Sequence, residues 1–111
     1  MININVIKSK QNVVTIEATG HSGYAEHGSD IVCSAVSALM TNLANGISDV
    51  VKASSKVTVD EEIGHLSVQL NETDSEKLKL AQVLMKSTLQ SLKQVANEFT
   101  KYIKIKEKQN D

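Results

Sequence analysis

The single cysteine of this chain, Cys33, lies in the segment DIVCSAVSAL, where the pattern predicts the first turn of a helix. The first backbone N–H groups of a helix have no partner within it, and the helix dipole is positive at that end. Both effects favour the thiolate, and cysteines in such places have pKa values of roughly 3.5–7.5 instead of about 8.5. Cys33 also falls on the flank of the predicted apolar stripe, so it should be reachable. The alternative is a small buried apolar residue, because free cysteine is among the most buried residue types.

Two histidines precede this cysteine in the glycine-rich segment GHSGYAEHG. Histidine is the usual base for a nucleophilic thiol, and His21 and His27 come 12 and 6 residues before Cys33. A loop that leads into the start of a helix can fold back over it, so the spacing permits either histidine. The third histidine, His65, opens a predicted strand and is expected to lie on a sheet.

A metal site is a competing use of the same residues, since His21, His27, Asp30 and Cys33 could offer nitrogen, oxygen and sulfur ligands. The chain has no C-x2-C or H-x3-H spacing, and we expect neither a metal nor a cofactor. Asp30 has two other possible roles, which are to cap the helix or to orient a histidine, and capping is favoured. Thiol redox chemistry lacks a resolving cysteine within the chain.

The elements that must position these residues follow from the apolar periodicity. Alternation predicts strands at residues 2–7 and 13–19, paired as a hairpin. Residues 20–28 form a glycine-rich loop, which should be mobile because glycine loses much backbone freedom on ordering. Ser29 or Asp30 then caps a helix that begins near Ile31 and continues through Val51. Its predicted apolar stripe consists of Val32, Val36, Leu39, Leu43, Ile47 and Val50.

The second half of the chain repeats this order. Residues 56–62 and 64–70 alternate and predict a second hairpin. Residues 73–76 fit the S/T-x-x-E capping box, and a long helix follows with its apolar residues at Leu78, Ala81, Leu84, Met85, Leu92, Val95, Ala96 and Phe99. Residues 102–106 alternate again and can add a short last strand. We therefore expect an α+β fold, ββαββα, with an antiparallel sheet of about four strands and two helices packed on one face.

Composition limits the classes of function. The 111 residues fit a single domain spanning 1–111, with 41% hydrophobic and 23% charged residues. The net charge is −1, all 12 basic residues are lysine, and only three residues are aromatic, so we expect no direct nucleic-acid binding. No apolar run reaches 18 residues and no secretory signal is recognisable, so we expect a cytoplasmic protein without a membrane span.

The segment GHSGYAEHGSDIVCSAVSAL resembles the signature of the ribosomal-processing cysteine protease (Prp) family of small bacterial proteins. That pattern combines Gly-His near the end of a strand, a glycine-rich loop, and G-x-D-I-V-C-A-x-x-S-x-L. Gly20 and His21 match its first part. The second part is matched by Gly28, Asp30, Ile31, Val32, Cys33, Ser37 and Leu39. Ser22 and Ser34 depart from it, since alanine often follows the histidine and the cysteine in the family.

The resemblance implies a catalytic dyad of His21 and Cys33, with Asp30 and Ser37 in supporting positions. The implied substrate loop comprises Gly20, Ser22, Gly23, Tyr24, His27 and Gly28. It further implies an endopeptidase that removes the N-terminal extension of a large-subunit ribosomal protein precursor, cutting after aromatic residues, and a homodimer. We expect the backbone N–H of Cys33, together with a neighbouring N–H at the helix start, to stabilise the oxyanion. The alternative is a non-enzymatic ribosome-associated module that binds through its lysine-rich C-terminal edge.

Overall fold

The computed structural model describes residues 1–26 and 28–110 and has the element order ββαββαβ. A π-helical segment, Gly46–Val51, continues the first helix without a break. The strands and helices are β1 (Ile2–Ser9), β2 (Asn12–Thr19), α1 (Ile31–Asn45), β3 (Ser55–Asp60), β4 (His65–Leu70), α2 (Ser75–Glu98) and β5 (Ile103–Gln109).

The five strands form one sheet in the order β3-β4-β2-β1-β5. The predicted hairpins β1–β2 and β3–β4 are present and antiparallel, and β2 pairs with β4 in the same sense. The C-terminal strand is longer than expected and pairs with β1 in parallel. The sheet is therefore mixed, not purely antiparallel, because α2 carries the chain back across the sheet before β5 begins. The α+β class with two helices is confirmed.

The hydrophobic core lies between the inner face of the sheet and both helices. Every second residue of β1, namely Ile2, Ile4 and Val6, is buried, as the period of a strand requires. From the helices the core receives Val32, Val36, Met40, Leu43, Ala81, Met85, Leu89 and Leu92. On β1, Asn3 and Asn5 alternate with the buried Ile2, Ile4 and Val6 and are exposed. The opposite face of the sheet is accordingly polar.

A β-bulge in the first hairpin is stabilised from α2. The pairing of β1 with β2 shifts between Ile7 and Lys8, so that Val14 has no partner opposite it. The buried side chain of Gln82 forms hydrogen bonds with the backbone at this bulge. Its Oε1 accepts the N–H of Val13 and its Nε2 donates to the carbonyl oxygen of Val13, both at 2.8 Å. One amide thus satisfies two backbone groups in the core.

Two predicted details of the helices are wrong. Val50 is 79% exposed, because the π-helical turn, with its i→i+5 hydrogen bonds, rotates the last residues away from the core stripe. Gly46 begins that turn where a Cβ atom would lie 3.0 Å from Cδ1 of Leu84. The cap of α2 is Asp74, whose carboxylate accepts the N–H of Lys77, and not the preceding threonine.

Residues Ile31–Val51 form one helical stretch of 21 residues that is long and apolar enough to cross a membrane by length and composition alone. Three of its large apolar residues, Val32, Met40 and Ile47, are fully buried in the core, whereas Ile31 and Val50 at its two ends are exposed. Because the buried side chains pack against the sheet, we interpret the stretch as the core helix of the domain.

Candidate active site

Cys33 lies in the first turn of α1, and Asp30 caps that helix. The Oδ1 atom of Asp30 accepts the backbone N–H groups of Val32 and Cys33, each at 3.0 Å. Capping, the favoured interpretation of this aspartate, is confirmed. The N–H of Cys33 is therefore occupied by the cap, so the expectation that this group faces an oxyanion does not hold in this conformation.

The same carboxylate also fastens the glycine-rich loop to the helix. Its Oδ2 atom accepts the hydroxyl of Ser22 and, at 3.3 Å, the N–H of Ala25. Asp30 is 5% exposed. Burial alone would raise its pKa, but the hydrogen bonds from Ser22 and from the backbone of Cys33, Ala25 and Val32 outweigh it and lower the pKa to about 2. Asp30 is a buried anion with fixed donors around it.

Ser22 connects this carboxylate to the thiol. Its backbone N–H points at Sγ of Cys33, 3.3 Å away, while its hydroxyl binds Asp30 and accepts the N–H of Tyr24 at 3.1 Å. Ser22 is buried and Cys33 is half-buried. The thiol is thus neither a core residue nor fully open, which confirms its expected place on the flank of the stripe.

An aromatic cluster holds the middle of the loop. The ring of Tyr24 packs edge-on against Phe99 and Tyr102, with centroid distances of 5.7 and 5.2 Å. These are the three aromatic residues of the chain, and they meet where α2 ends and β5 begins. The sequence suggested few anchors for residues 20–28, because the partners of Tyr24 lie far away along the chain.

His21 faces the same side of the molecule as the thiol. Its side chain is exposed, and its Nε2 atom lies 3.3 Å from the carbonyl oxygen of Glu62. His21 and Cys33 line the same cavity, and the backbone N–H of Ser22 donates a hydrogen bond to the sulfur of Cys33.

The turn between β3 and β4 sets the position of His21. Gly64 has φ +64°, and a Cβ atom on it would lie 2.7 Å from the carbonyl oxygen of Gly20 and 3.0 Å from Cε1 of His21. Gly20 donates its N–H to the carbonyl oxygen of Gly64 at 3.1 Å. Only glycine permits this approach of the turn to the loop. Gly64 was missed from the sequence, although the isolated glycine in EEIGH marks a tight turn.

Two adjoining cavities, of about 430 and 530 Å³, open at the thiol. His21, Cys33, Ser37 and Glu61 line both of them. Of the predicted loop residues, Gly20 lines the first cavity, Gly23 and Gly28 line the second, and Ser22 and Tyr24 support them from behind. Ser37 lies one helical turn beyond Cys33 and is exposed. His27 lies outside the described residues.

His65 lies on β4, as predicted, and lines the 430 Å³ cavity together with His21 and Cys33. Its Nδ1 atom is 3.1 Å from the hydroxyl of Thr19, and its Nε2 atom is 4.0 Å from Glu17. Across residues 1–26 and 28–110, no three His, Cys, Asp or Glu side chains are grouped to hold a metal ion.

The family model for cysteine protease Prp matches residues 1–104. The chain belongs to the cysteine protease Prp family. A relative from Staphylococcus aureus named ribosomal processing cysteine protease Prp is 26% identical over 106 residues, which is 95% of this chain and 97% of the relative. A Bacillus subtilis relative of the same name is 25% identical over 107 residues, covering 95% and 96%.

A solved structure extends the similarity to three dimensions. The Staphylococcus aureus Prp, in complex with a covalently linked product peptide, superposes with a TM-score of 0.87 at 25% identity, covering 97% of this chain and all of that one. The resemblance drawn from the sequence is thereby confirmed, and this chain is a Prp-family cysteine protease.

Proposed function

We propose that this protein is an endopeptidase that removes the N-terminal extension of a large-subunit ribosomal protein precursor, with Cys33 as nucleophile and His21 as base. The observation that carries the proposal is the half-buried sulfur of Cys33 at the start of α1, in a cavity that it shares with His21. The Staphylococcus aureus and Bacillus subtilis relatives are named as ribosomal processing proteases, and the former binds a product peptide covalently, which supports the same chemistry here.

The reaction begins with a proton transfer from Cys33 to the imidazole of His21. The thiolate attacks the scissile carbonyl carbon, His21 returns the proton to the leaving amine, and water hydrolyses the thioester. In the proposed dyad the imidazole of His21 accepts the thiol proton, while its Nε2 atom lies 3.3 Å from the carbonyl oxygen of Glu62. We assign the alignment of the imidazole with the sulfur to the loop of residues 20–28, acting as a lid over bound substrate. Its amides should gain protection from hydrogen exchange when peptide binds, and full protection without peptide would contradict a moving lid.

The oxyanion needs a donor other than the N–H of Cys33, which the cap occupies. The N–H of Ser22 is the best-placed candidate. It already points at the sulfur from 3.3 Å, and the oxyanion forms on the carbon atom that the sulfur attacks. Asp30 acts through Ser22 and the helix start, not on His21, and is therefore a positioning residue.

The finer features of the proposal follow the family resemblance. Residues 1–111 act as one protease domain, in the cytoplasm, where ribosomes are assembled, and as a homodimer. The competing function, a binding module without activity, would use the lysines of β5. Nothing around the thiol favours it, because Lys104, Lys106 and Lys108 line neither cavity.

Incubation with the unprocessed ribosomal protein, followed by mass analysis, tests the substrate assignment. We expect one new N-terminus, produced by the unmodified protein and not by a Cys33→Ser variant. An intact precursor after prolonged incubation would overturn the proposed substrate.

A further inference from the structure

The strand β3 is an edge of the sheet, and within the described part of the chain no strand pairs with its outer side. Alternate residues of an edge strand direct their N–H and C=O groups away from the sheet, where an extended peptide can bind them. Over its six residues, Ser55–Asp60, this edge offers room for three peptide residues or more.

The inner face of β3 is apolar and uncovered. Val57 pairs with Val68, which is fully buried, and Val59 pairs with Leu66. Residues directly opposite each other in an antiparallel pair have side chains on the same face, so both valines project to the helix side of the sheet. They are nevertheless 43% and 60% exposed, because the helices cover the sheet only as far as β4.

This uncovered face continues into the site. The 430 Å³ cavity runs from Cys33 between α1 and the β3–β4 hairpin. On the hairpin side it is lined by Val59 and Leu66 and, towards the turn, by Asp60 and Glu61. Met40 lines it from the helix, with a flexible thioether side chain that adapts to different apolar partners. An extended peptide whose scissile bond lies at Cys33 would therefore have its neighbouring residues next to Val59.

The other edge of the sheet differs in both respects. On β5, Lys104, Lys106 and Lys108 are exposed on the outer face, and a row of charged side chains of this kind commonly prevents strand addition at an edge. The corresponding outer positions of β3 hold a single lysine, Lys56, with Thr58 and Asp60. No residue of β5 lines either cavity. Only β3 combines an apolar, uncharged inner face with a path to the thiol.

We propose that the substrate peptide binds as an additional strand on the edge of β3, with an apolar side chain placed over Val59 in the groove between α1 and β4. The inference rests on the proposed protease function and names the surface that selects its substrate. Main-chain hydrogen bonds to β3 supply affinity without sequence preference, and the groove supplies preference for large apolar residues.

Amide hydrogen exchange tests the docking mode directly. The probe is a synthetic peptide spanning the cleaved bond of the ribosomal protein precursor, bound to a Cys33→Ala variant that cannot cut it. We expect alternate amides within residues 55–60 to exchange at least about tenfold more slowly with peptide, while the amides of β5 stay unchanged. Unchanged exchange along β3 with peptide bound would overturn the proposal.

A pair of variants tests the role of the groove in the active protein. Val59→Lys places a charge in the groove and should lower kcat/KM roughly tenfold, as expected for losing much of one apolar contact. Thr58→Lys adds the same side chain on the opposite face of the same strand and should stay within about twofold. Equal losses, or none in Val59→Lys, would contradict the proposal. Should Val59→Lys fail to fold, the exchange measurement decides.

The proposed protease function and the proposed docking of the peptide on β3 can be contradicted independently. A protein that cleaves the precursor while β3 amides remain unprotected is a protease with another docking mode. A protein that binds the peptide along β3 but never cuts it would instead contradict the catalytic assignment.

Discussion

One buried carboxylate organises the reactive end of this molecule. Asp30 accepts hydrogen bonds from the helix start through one oxygen and from the loop through the other. Since Ser22 is held by the same carboxylate that caps the helix at Cys33, the backbone donor and the sulfur lie next to each other in this conformation. Asp30 therefore fixes the position of the thiol relative to the loop.

The two loop histidines should differ sharply when replaced. A general base contributes roughly 10²–10⁴-fold, so His21→Ala should lose activity in that range. His27→Ala should reduce cleavage only modestly, because the family resemblance places the base at His21. Initial rates on the precursor measure both. Equal losses, or a larger loss in His27→Ala, would reassign the base.

Stability in acid should report the hydrogen bonds of Asp30. The pKa of this carboxyl is lowered from 3.8 to about 2 in the folded protein, so its stabilising contribution is complete above the unfolded value and is lost as pH falls towards 2. The contribution near neutral pH is roughly 2 kcal/mol. Urea unfolding of the unmodified protein and of Asp30→Asn should therefore differ at pH 6 and converge towards pH 2. A difference independent of pH would contradict the assignment.

At the scale of single residues, sequence patterns located the cap and the proposed nucleophile but not their connection. Asp30 and Cys33 follow from a capping residue before an apolar stripe. The N–H of Ser22 has no sequence signature, because any residue except proline carries a backbone donor. The spacing also could not choose between His21 and His27, which required the resemblance to a family.

At the scale of elements, tertiary contacts decide what periodicity leaves open. Both hairpins and both helices follow from alternation and from the helical stripe. The π-helical turn at the end of α1 arises where Gly46 meets Leu84, and the parallel pairing of β5 depends on where α2 ends. Leu84 is far from Gly46 in the sequence, and β1 is far from β5. Local sequence patterns therefore cannot predict the π-helical turn or the parallel pairing. The two neighbouring residues Thr73 and Asp74 are both good helix caps, which explains the error of one position.

Gln82 should prove essential to the attachment of α2. Gln82→Leu would leave the buried N–H and C=O of Val13 without partners, at a cost of about 2–3 kcal/mol in the free energy of unfolding. Gln90→Leu on the same helix is the matched control, because Gln90 is exposed, and it should change stability by less than about 0.5 kcal/mol. Denaturant unfolding measures both. Equal effects would show that the Gln82 hydrogen bonds contribute little.

At the scale of the whole molecule, the sheet separates two kinds of surface. Its inner face carries the core and, beyond β4, the uncovered valines of β3. Its outer face is polar and ends at the lysines of β5. The site lies where α1, the glycine-rich loop and the β3–β4 turn meet, so three segments distant in sequence must be folded before a cavity exists. Composition could exclude classes of function, but it could not locate this meeting point.

The proposed homodimer concerns the assembly of whole molecules. Sedimentation equilibrium at micromolar concentration should give twice the mass of the 12.1 kDa chain. A monomer mass throughout the range of concentrations at which the protein cleaves its substrate would contradict it.

We propose that Cys33 forms the covalent intermediate, and mass spectrometry of the trapped intermediate is the decisive experiment. The protein is mixed with the precursor, quenched in acid within a turnover, and weighed by mass spectrometry. A thioester at Cys33 would add the mass of the N-terminal extension less one water, because the amine product has already left. We predict that adduct on the peptide containing Cys33, and none with Cys33→Ala, which should also leave the precursor whole. Cleavage of the precursor by Cys33→Ala would show that another residue is the nucleophile.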